Sequence, residues 1–123
     1  MAIDITTPTP SKFGFILNAT SDDASACEIL KAAPAAGLSI IVDHLTINNG
    51  ANPISITIGQ GVSGGGVGVA LIGPIAMAAN SSLQFNFTRG FAVRGMSLTE
   101  ATALTVDTSG AGAICVFIIG RVE

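Results

Sequence analysis

Apolar and polar residues alternate most regularly in the segment Gly37–Gly61. In its second half, isoleucines at every second position from 54 to 58 are separated by serine and threonine, which is the pattern of a half-buried strand. In its first half, the apolar phase changes at Asp43-His44, and a β-bulge there would return both halves to one core. The sequence NNGAN at residues 48–52 tolerates positive φ. The segment therefore predicts a β-hairpin, whose buried faces require a second layer.

The rest of the chain also has the pattern of short strands. Turn-forming residues separate these segments, and no long helical period is present. Seven to nine strands spaced in this way are typical of an all-β fold, an antiparallel β-sandwich of the jelly-roll type. The further alternating or extended segments are residues 67–71, 83–87, 91–93, 96–98, 104–106 and 113–119.

Three segments between the strands carry their own local signals. Residues 24–32 are predicted as a strand, although the preceding Ser21-Asp22-Asp23 could also cap a helix. The glycine-rich residues 61–66 predict a mobile loop, and Gly73-Pro74 predicts the end of a strand.

The strand predicted at residues 113–119 is apolar on both faces. Ile114, Val116 and Ile118 fill one face, whereas Cys115 and the alternate positions 117 and 119 fill the other. A strand of an antiparallel sandwich normally has one solvated side. We therefore expect the second face to be covered by another copy of the chain or by the N-terminal segment, and we predict a homotrimer.

The N-terminal segment, residues 1–20, shows no sustained core-facing period and contains Pro8 and Pro10. Proline resists both helix and central-strand pairing, so we expect an extended arm outside a single sandwich domain at residues 21–123. Such an arm would be poorly ordered in the free protein and would dock on a partner. The candidate partner-interface residues are Ile3, Ile5, Phe13 and Phe15 in the arm, and Cys115, Phe117 and Ile119 in the last strand.

The composition excludes several classes of partner. Only 11% of the 123 residues are charged, against about 25% in ordinary domains. The net charge is −3 and basic residues are not clustered, so we expect no nucleic acid. The longest apolar run, residues 111–120, is about half of a membrane span, so we expect no membrane. Without a secretory signal we expect cytoplasmic synthesis, and free buried thiols rather than a disulfide at Cys27 and Cys115.

Two glycine motifs and one histidine are the candidates for chemistry. Residues 59–64 fit G-x-G-x-x-G, but the following sequence GGVGV is not a helix start that could face a pyrophosphate. Residues 61–65 fit G-x-S-x-G, which needs a later base, and the only histidine, His44, comes earlier. One histidine and two cysteines do not complete a zinc site. We therefore predict a structural His44, no catalytic residue, no metal, no cofactor and no small-molecule substrate.

A resemblance to a known class of proteins rests on the order of the patterned segments. The sequence IGPIAMAANSSLQF at residues 72–85, followed by TALTV at 102–106 and SGAG at 109–112, is similar to small β-sandwich virion proteins of tailed bacteriophages, of the head-decoration or cement type. The segment 38–61 fits the same pattern, and the resemblance covers residues 25–122.

The resemblance implies a non-enzymatic structural protein of the virion, made in the host cytoplasm. Proteins of this class bind the outside of a capsid as oligomers, commonly trimers at three-fold positions, and clamp neighbouring copies of the major capsid protein. Related sandwiches also occur in tails and fibres, so host or glycan recognition is the alternative function. The absence of Trp and Tyr lowers the weight of a sugar-binding site.

Overall fold

The computed structural model describes residues 3–6, 14–21, 27–87, 95–110 and 113–123. Within these ranges the chain is built from β-strands joined by turns and irregular connections. The strands are β1 (Ile3–Thr6), β2 (Gly14–Ser21), β3 (Glu28–Lys31), β4 (Ile40–Asn49), β5 (Ile54–Ser63), β6 (Gly66–Met77), β7 (Ser82–Asn86), β8 (Met96–Ser97), β9 (Leu104–Thr108) and β10 (Ile114–Val122).

The strands form two antiparallel sheets that enclose one core. Sheet 1 has the order β1-β2-β10-β4-β7, and β8 also pairs with β4; sheet 2 has the order β3-β9-β5-β6. The predicted fold class, an antiparallel β-sandwich, is confirmed. The largest fully buried side chains come from both sheets and include Leu30, Ile40, Leu45, Ile47, Ile56, Ile58, Leu104 and Ile118.

The strand order is that of a jelly roll. Strands β2, β4, β7 and β10 lie in sheet 1, whereas β3, β5, β6 and β9 lie in sheet 2. Most connections therefore cross from one sheet to the other, as in a sandwich of two interleaved four-stranded sheets. The chain repeatedly buries one face of a strand in sheet 1 and then one face of the next strand in sheet 2.

The predicted hairpin is wrong in its pairing, although both of its strands exist. Strand β4 pairs with β10 and β7, and β5 pairs with β9 and β6. Alternation in the sequence indicates which face of a strand is buried. Two consecutive strands show the same alternation whether they pair with each other in a hairpin or lie in opposite sheets. The pattern therefore could not distinguish these two arrangements.

The predicted β-bulge in β4 is confirmed at Asp43. Ile119 of β10 pairs with His44, and the next residue, Gly120, pairs with Val42. Asp43 is therefore the extra residue, and β4 remains buried on the same face on both sides of it. The backbone carbonyl of Asp43 accepts a hydrogen bond from the amide of Phe87. The extra residue is therefore bonded to the segment that directly follows β7.

The glycine-rich segment is a tight hairpin turn rather than a loop. Strand β5 extends to Ser63, β6 begins at Gly66, and these two residues pair. Gly64 and Gly65 between them have φ of +59° and +83°, a conformation that glycine adopts without steric cost. Strand β6 also continues past Gly73-Pro74, because it lies at the edge of sheet 2, where a missing N–H is tolerated.

Residues 14–20 belong to the core, so the predicted domain boundary at residue 20 is wrong. Strand β2 pairs with β10 along its whole length. Phe15, Leu17 and Ala19 are buried with exposed fractions of 5%, 3% and 0%. Phe15 is therefore a core residue and is not available to a partner. The prediction of an arm is wrong because Pro8 and Pro10 precede this segment, and because apolar Ile16 on the outer face and small Ala19 on the buried face weaken its alternation.

Asn49 links two of the crossing connections at one end of the sandwich. Its buried side-chain amide donates hydrogen bonds to the carbonyls of Asn52 at 2.9 Å and Ala78 at 3.0 Å. Asn52 lies between β4 and β5, whereas Ala78 lies between β6 and β7. A backbone bond from Asn80 to Gly50 joins the same two connections. Both sheets are thus tied together at this end by polar contacts in addition to the apolar core.

Replacing Phe15 by serine is expected to lower the free energy of unfolding by about 3–5 kcal/mol, because it empties a buried aromatic site. The matched control is Ile16→Thr, the next residue of β2, which is half-buried on the opposite face. That change is expected to cost less than about 1 kcal/mol. Urea unfolding of both variants measures the difference, and equal losses would contradict the orientation of β2.

Replacing Asn49 by aspartate is expected to cost about 2 kcal/mol or more, because a buried carboxylate would face carbonyl oxygens without a proton to donate. Asn48→Asp is the control, since Asn48 is exposed and its side-chain oxygen only accepts a bond from Ser82. Thermal or urea unfolding compares the two. A stable Asn49→Asp protein would show that the amide does not hold the two connections together.

Candidate interaction surfaces

The outer face of sheet 1 is formed by side chains that point away from the core on four adjacent strands. Strand register places these residues in three rows across β2, β10, β4 and β7. All twelve are half-buried or exposed. The rows are Thr20, Cys115, Asn48 and Ser82; Asn18, Phe117, Thr46 and Gln84; and Ile16, Ile119, His44 and Asn86.

This outer face contains no Asp, Glu, Lys or Arg among its twelve residues. Its apolar part follows β10, with Phe117 in the middle row between Asn18 and Thr46. Charged residues border these four strands: Arg121 of β10 pairs with Asp43 and Glu123 at one end, and Asp4 of the neighbouring β1 stands in register with Thr20. An uncharged surface with an apolar centre and a polar surround has the organisation of a protein–protein interface.

Hydrogen bonds between neighbouring side chains order the polar part of this face. The Cys115 thiol donates to Asn18 Oδ1 at 3.2 Å, and Ser82 donates to Asn48 Oδ1 at 2.6 Å. His44 Nε2 lies 3.1 Å from Thr46 Oγ1. These contacts cross strands or follow one strand, so the side chains are held in place before any partner arrives.

His44 stands next to an acidic residue in sequence without being oriented by it. The bulge brings Asp43 into β4 immediately before His44, but the Asp43 carboxylate pairs with Arg121. The imidazole instead contacts the Thr46 hydroxyl. The Asp43 carboxylate therefore does not orient the imidazole as the acid of an acid–histidine pair would.

A second apolar surface lies at the end of the β5–β6 hairpin in sheet 2. Val62 and Val69 are exposed to 53% and 56%. We call this surface the hairpin end and define it by these two valines. Backbone bonds tie the hairpin to the rest of sheet 2: Gly61 donates to Ala103, and Cys27 donates to Gly65. The exposed valines are therefore presented on an anchored hairpin.

Close approach of the two strands explains the small residues of this hairpin. A side chain at Gly59 would meet Val67 and the carbonyl of Val69 at 2.6 Å, and one at Gly68 would meet the carbonyl of Gln60 at 2.9 Å. Both distances are shorter than side-chain carbons tolerate. Of the glycines in the nucleotide and nucleophile motifs, Gly59 thus has a packing role, whereas Gly61, Gly64 and Gly65 adopt positive φ.

The sequence-predicted interface residues fall into three groups. Cys115 and Phe117 are half-buried on the outer face of sheet 1, and Ile119 there is 39% exposed. Phe15 lies in the core. Phe13 lies outside the described residues, and for Ile3 and Ile5 only the pairing of β1 with β2 is described.

Two sets of surface residues were missed by the sequence patterns. Ile16 belongs to the outer face of sheet 1, and the alternation of residues 15, 17 and 19 against 16, 18 and 20 was the signal that could have placed it. The sequence predicts Val62 in a mobile loop and Val69 in the alternating segment 67–71, without an exposed surface at either. No local signal distinguishes a valine of an exposed hairpin from one that faces the core.

Cys27 and Cys115 are both free and half-buried. They lie in different parts of the sandwich, since Cys115 is on β10 of sheet 1 and Cys27 directly precedes β3 of sheet 2. Within the described ranges, no three His, Cys, Asp or Glu residues are grouped so that they could hold a metal ion. In the same part of the chain, no helix is long and apolar enough to cross a membrane.

Comparisons with known proteins show no family and one distant structural likeness. No protein-family model matches the sequence, and no curated protein matches it. Among solved structures, the chain is similar to the cupin domain of Cnp3 from Schizosaccharomyces pombe, with 5% sequence identity and a TM-score of 0.45. The match covers 98% of this chain and 65% of that chain, so this chain spans about two thirds of the neighbour's length.

The Cys27 thiol is expected to react slowly, because burial raises its pKa above the ordinary value. A hydrogen bond with Thr105 opposes this shift in pKa, and the charges of Asp107 and Glu28 add to it. The thiolate is the reactive form. In a Cys115→Ser variant, alkylation by iodoacetamide at pH 8 should therefore be slower in the folded than in the urea-unfolded protein, and it should accelerate as pH rises.

The same shift in pKa predicts how stability depends on pH. The thiol of the unfolded chain loses its proton at lower pH than the folded Cys27 thiol. The protonated Cys27 thiol therefore favours the folded state. Its contribution to the free energy of unfolding is complete below the ordinary thiol pKa and is lost as pH rises through the pKa of the folded protein. Equal alkylation rates in the folded and unfolded protein would contradict the shift.

Proposed function

We propose that this protein is a non-enzymatic structural protein of a virus particle, which decorates the outside of a phage head and clamps neighbouring capsid subunits. It would be synthesised in the host cytoplasm and act as a homo-oligomer, with a trimer as the expected form. Its partners would be other copies of itself and the major capsid protein.

One observation carries this proposal: apolar residues reach the surface at several places in the sandwich, and two of these places are suited to partners. One is the outer face of β2, β10, β4 and β7, with Ile119 exposed and Phe117 half-buried at its centre, and the other is the hairpin end, with Val62 and Val69. Ile29 and Leu38 are exposed elsewhere. A protein that clamps other subunits needs two such surfaces, one for its own copies and one for the particle. Repetition by symmetry then lets individually weak contacts act together.

The rigid framework behind both surfaces supports the same function. The outer face of sheet 1 is backed by fully buried residues of the core, and the hairpin is anchored by backbone bonds at Gly61 and Gly65. Preorganised surfaces lose little conformational entropy on binding. Such a surface suits a protein that adds stability to a particle, because its own ordering costs little.

The test is binding to capsids assembled from the major capsid protein of the same genome. The protein is expected to co-sediment with these capsids, to saturate at a fixed ratio to capsid subunits, and to raise their melting temperature. A Val62→Glu, Val69→Glu double variant should bind at least about tenfold more weakly, because charge would enter a desolvated contact. A Val62→Thr, Val69→Thr variant keeps the side-chain shape and is the control.

The outcome also separates the proposal from the alternative, a tail or fibre module for host or glycan recognition. Absence of capsid binding would overturn the proposal. Saturable binding to purified host surface glycans, unaffected by the double variant, would favour the alternative.

A further inference from the structure

We infer that the outer face of sheet 1 is the surface through which two copies of this chain associate, packed face to face about a two-fold axis that passes close to Phe117. The inference deepens the proposed function and rests on it only for the expectation of an oligomer. A face that meets its own counterpart joins two copies, so the unit formed through this face is a dimer and replaces the expected trimer. It assigns the hairpin end to the particle and the sheet face to a second copy of the chain.

The first argument is electrostatic. Each copy carries a net charge of −3, so two copies repel weakly at long range. When identical faces meet about an axis, residues near that axis face their own counterparts, and a charged residue there would meet the same charge. The twelve residues of this face carry no Asp, Glu, Lys or Arg. The charged residues Asp43, Arg121 and Glu123 pair among themselves at its end. Asp4 of β1 stands in register with Thr20 at the border of the face, two strands away from Phe117 on β10.

The second argument is hydrogen-bond complementarity. The polar side chains of the face are amides and hydroxyls with one imidazole, and each of these groups can both donate and accept. Asn18, Thr46 and Gln84, which flank Phe117 in the middle row, can therefore pair with the same groups of a second copy. A partner with carboxylates could only accept hydrogen bonds from these groups, and a partner with ammonium groups could only donate to them. The surface matches itself better than it matches a charged partner.

The third argument is geometric. Four strands about 4.8 Å apart and three rows spaced by two residues define a patch of roughly 20 Å by 20 Å. Its three apolar side chains on β10, together with Ile16, lie side by side, so the apolar part is continuous. Two such patches bury on the order of 1,000 Å² with their side chains, the low end of specific interfaces. Association is thus expected to be reversible and concentration-dependent.

A thiol on the face itself reports whether the face is covered. Cys115 lies in the row next to Phe117 and is half-buried. In a Cys27→Ser variant it is the only cysteine, because the chain contains two. If copies associate through this face, alkylation of Cys115 should slow as the protein concentration rises.

The experiment combines sedimentation velocity with alkylation of Cys115 in the isolated Cys27→Ser protein under reducing conditions. The protein should shift from monomer to oligomer over the micromolar to submillimolar range, and the Cys115 alkylation rate should fall at least threefold over the same range. Phe117→Glu should abolish both changes. Val62→Glu, which adds the same charge on the hairpin end, should alter neither.

A milder variant keeps the test valid if Phe117→Glu does not fold. Gln84→Glu replaces an exposed side chain with one of the same shape, so folding should be unaffected. It places like charges on the facing copies, and association should weaken severalfold and recover in high salt, which screens repulsion.

Two results would overturn the inference: a Cys27→Ser protein that stays monomeric at all concentrations, or an oligomer weakened equally by Val62→Glu and Phe117→Glu. Failure of this inference can be told from failure of the proposed function. Capsid binding by a monomer would overturn the assignment of the sheet face alone. Self-association through the face without capsid binding would overturn the proposed function alone.

Discussion

The position of β10 between β2 and β4 is the constraint on which the rest of the sandwich depends. Its backbone pairs on both sides, and its inward residues Val116 and Ile118 are fully buried. Both neighbours must therefore present their apolar residues on the same side as β10 does. The bulge at Asp43 meets this requirement in β4 by absorbing one residue. The alternation of β2 meets it without a bulge.

The sequence predicts where most strands lie and which of their sides is buried. It does not predict which strands pair with each other. The phase change at Asp43 was readable because it displaces a regular apolar pattern. The pairing of β4 with β10 joins residues far apart in the chain, and nothing local in either segment encodes it. The segment 14–20 was misjudged because prolines nearby suggested an arm, while its pairing to β10 is again non-local.

The candidate interface was predictable only along one strand. Apolar residues on both faces of the strand at 114–119 indicated that Phe117 and Ile119 would be shielded from solvent by another surface. The polar flanks come from Asn18, Thr46 and Gln84, and only strand register brings them beside Phe117. A sequence pattern can therefore show that a strand has an apolar outer side. It cannot show whether the neighbours make that side a charged, polar or self-matching surface.

The place of β10 in the chain order also bears on how the protein folds in the cell. It is the last of the ten strands described, yet it fills the middle of sheet 1. Until the ribosome has released β10, β2 and β4 lack their common neighbour and their apolar residues remain in water. Pairings between distant segments form slowly, and exposed strands are prone to aggregate. Sheet 1 is thus completed only after this segment has been synthesised.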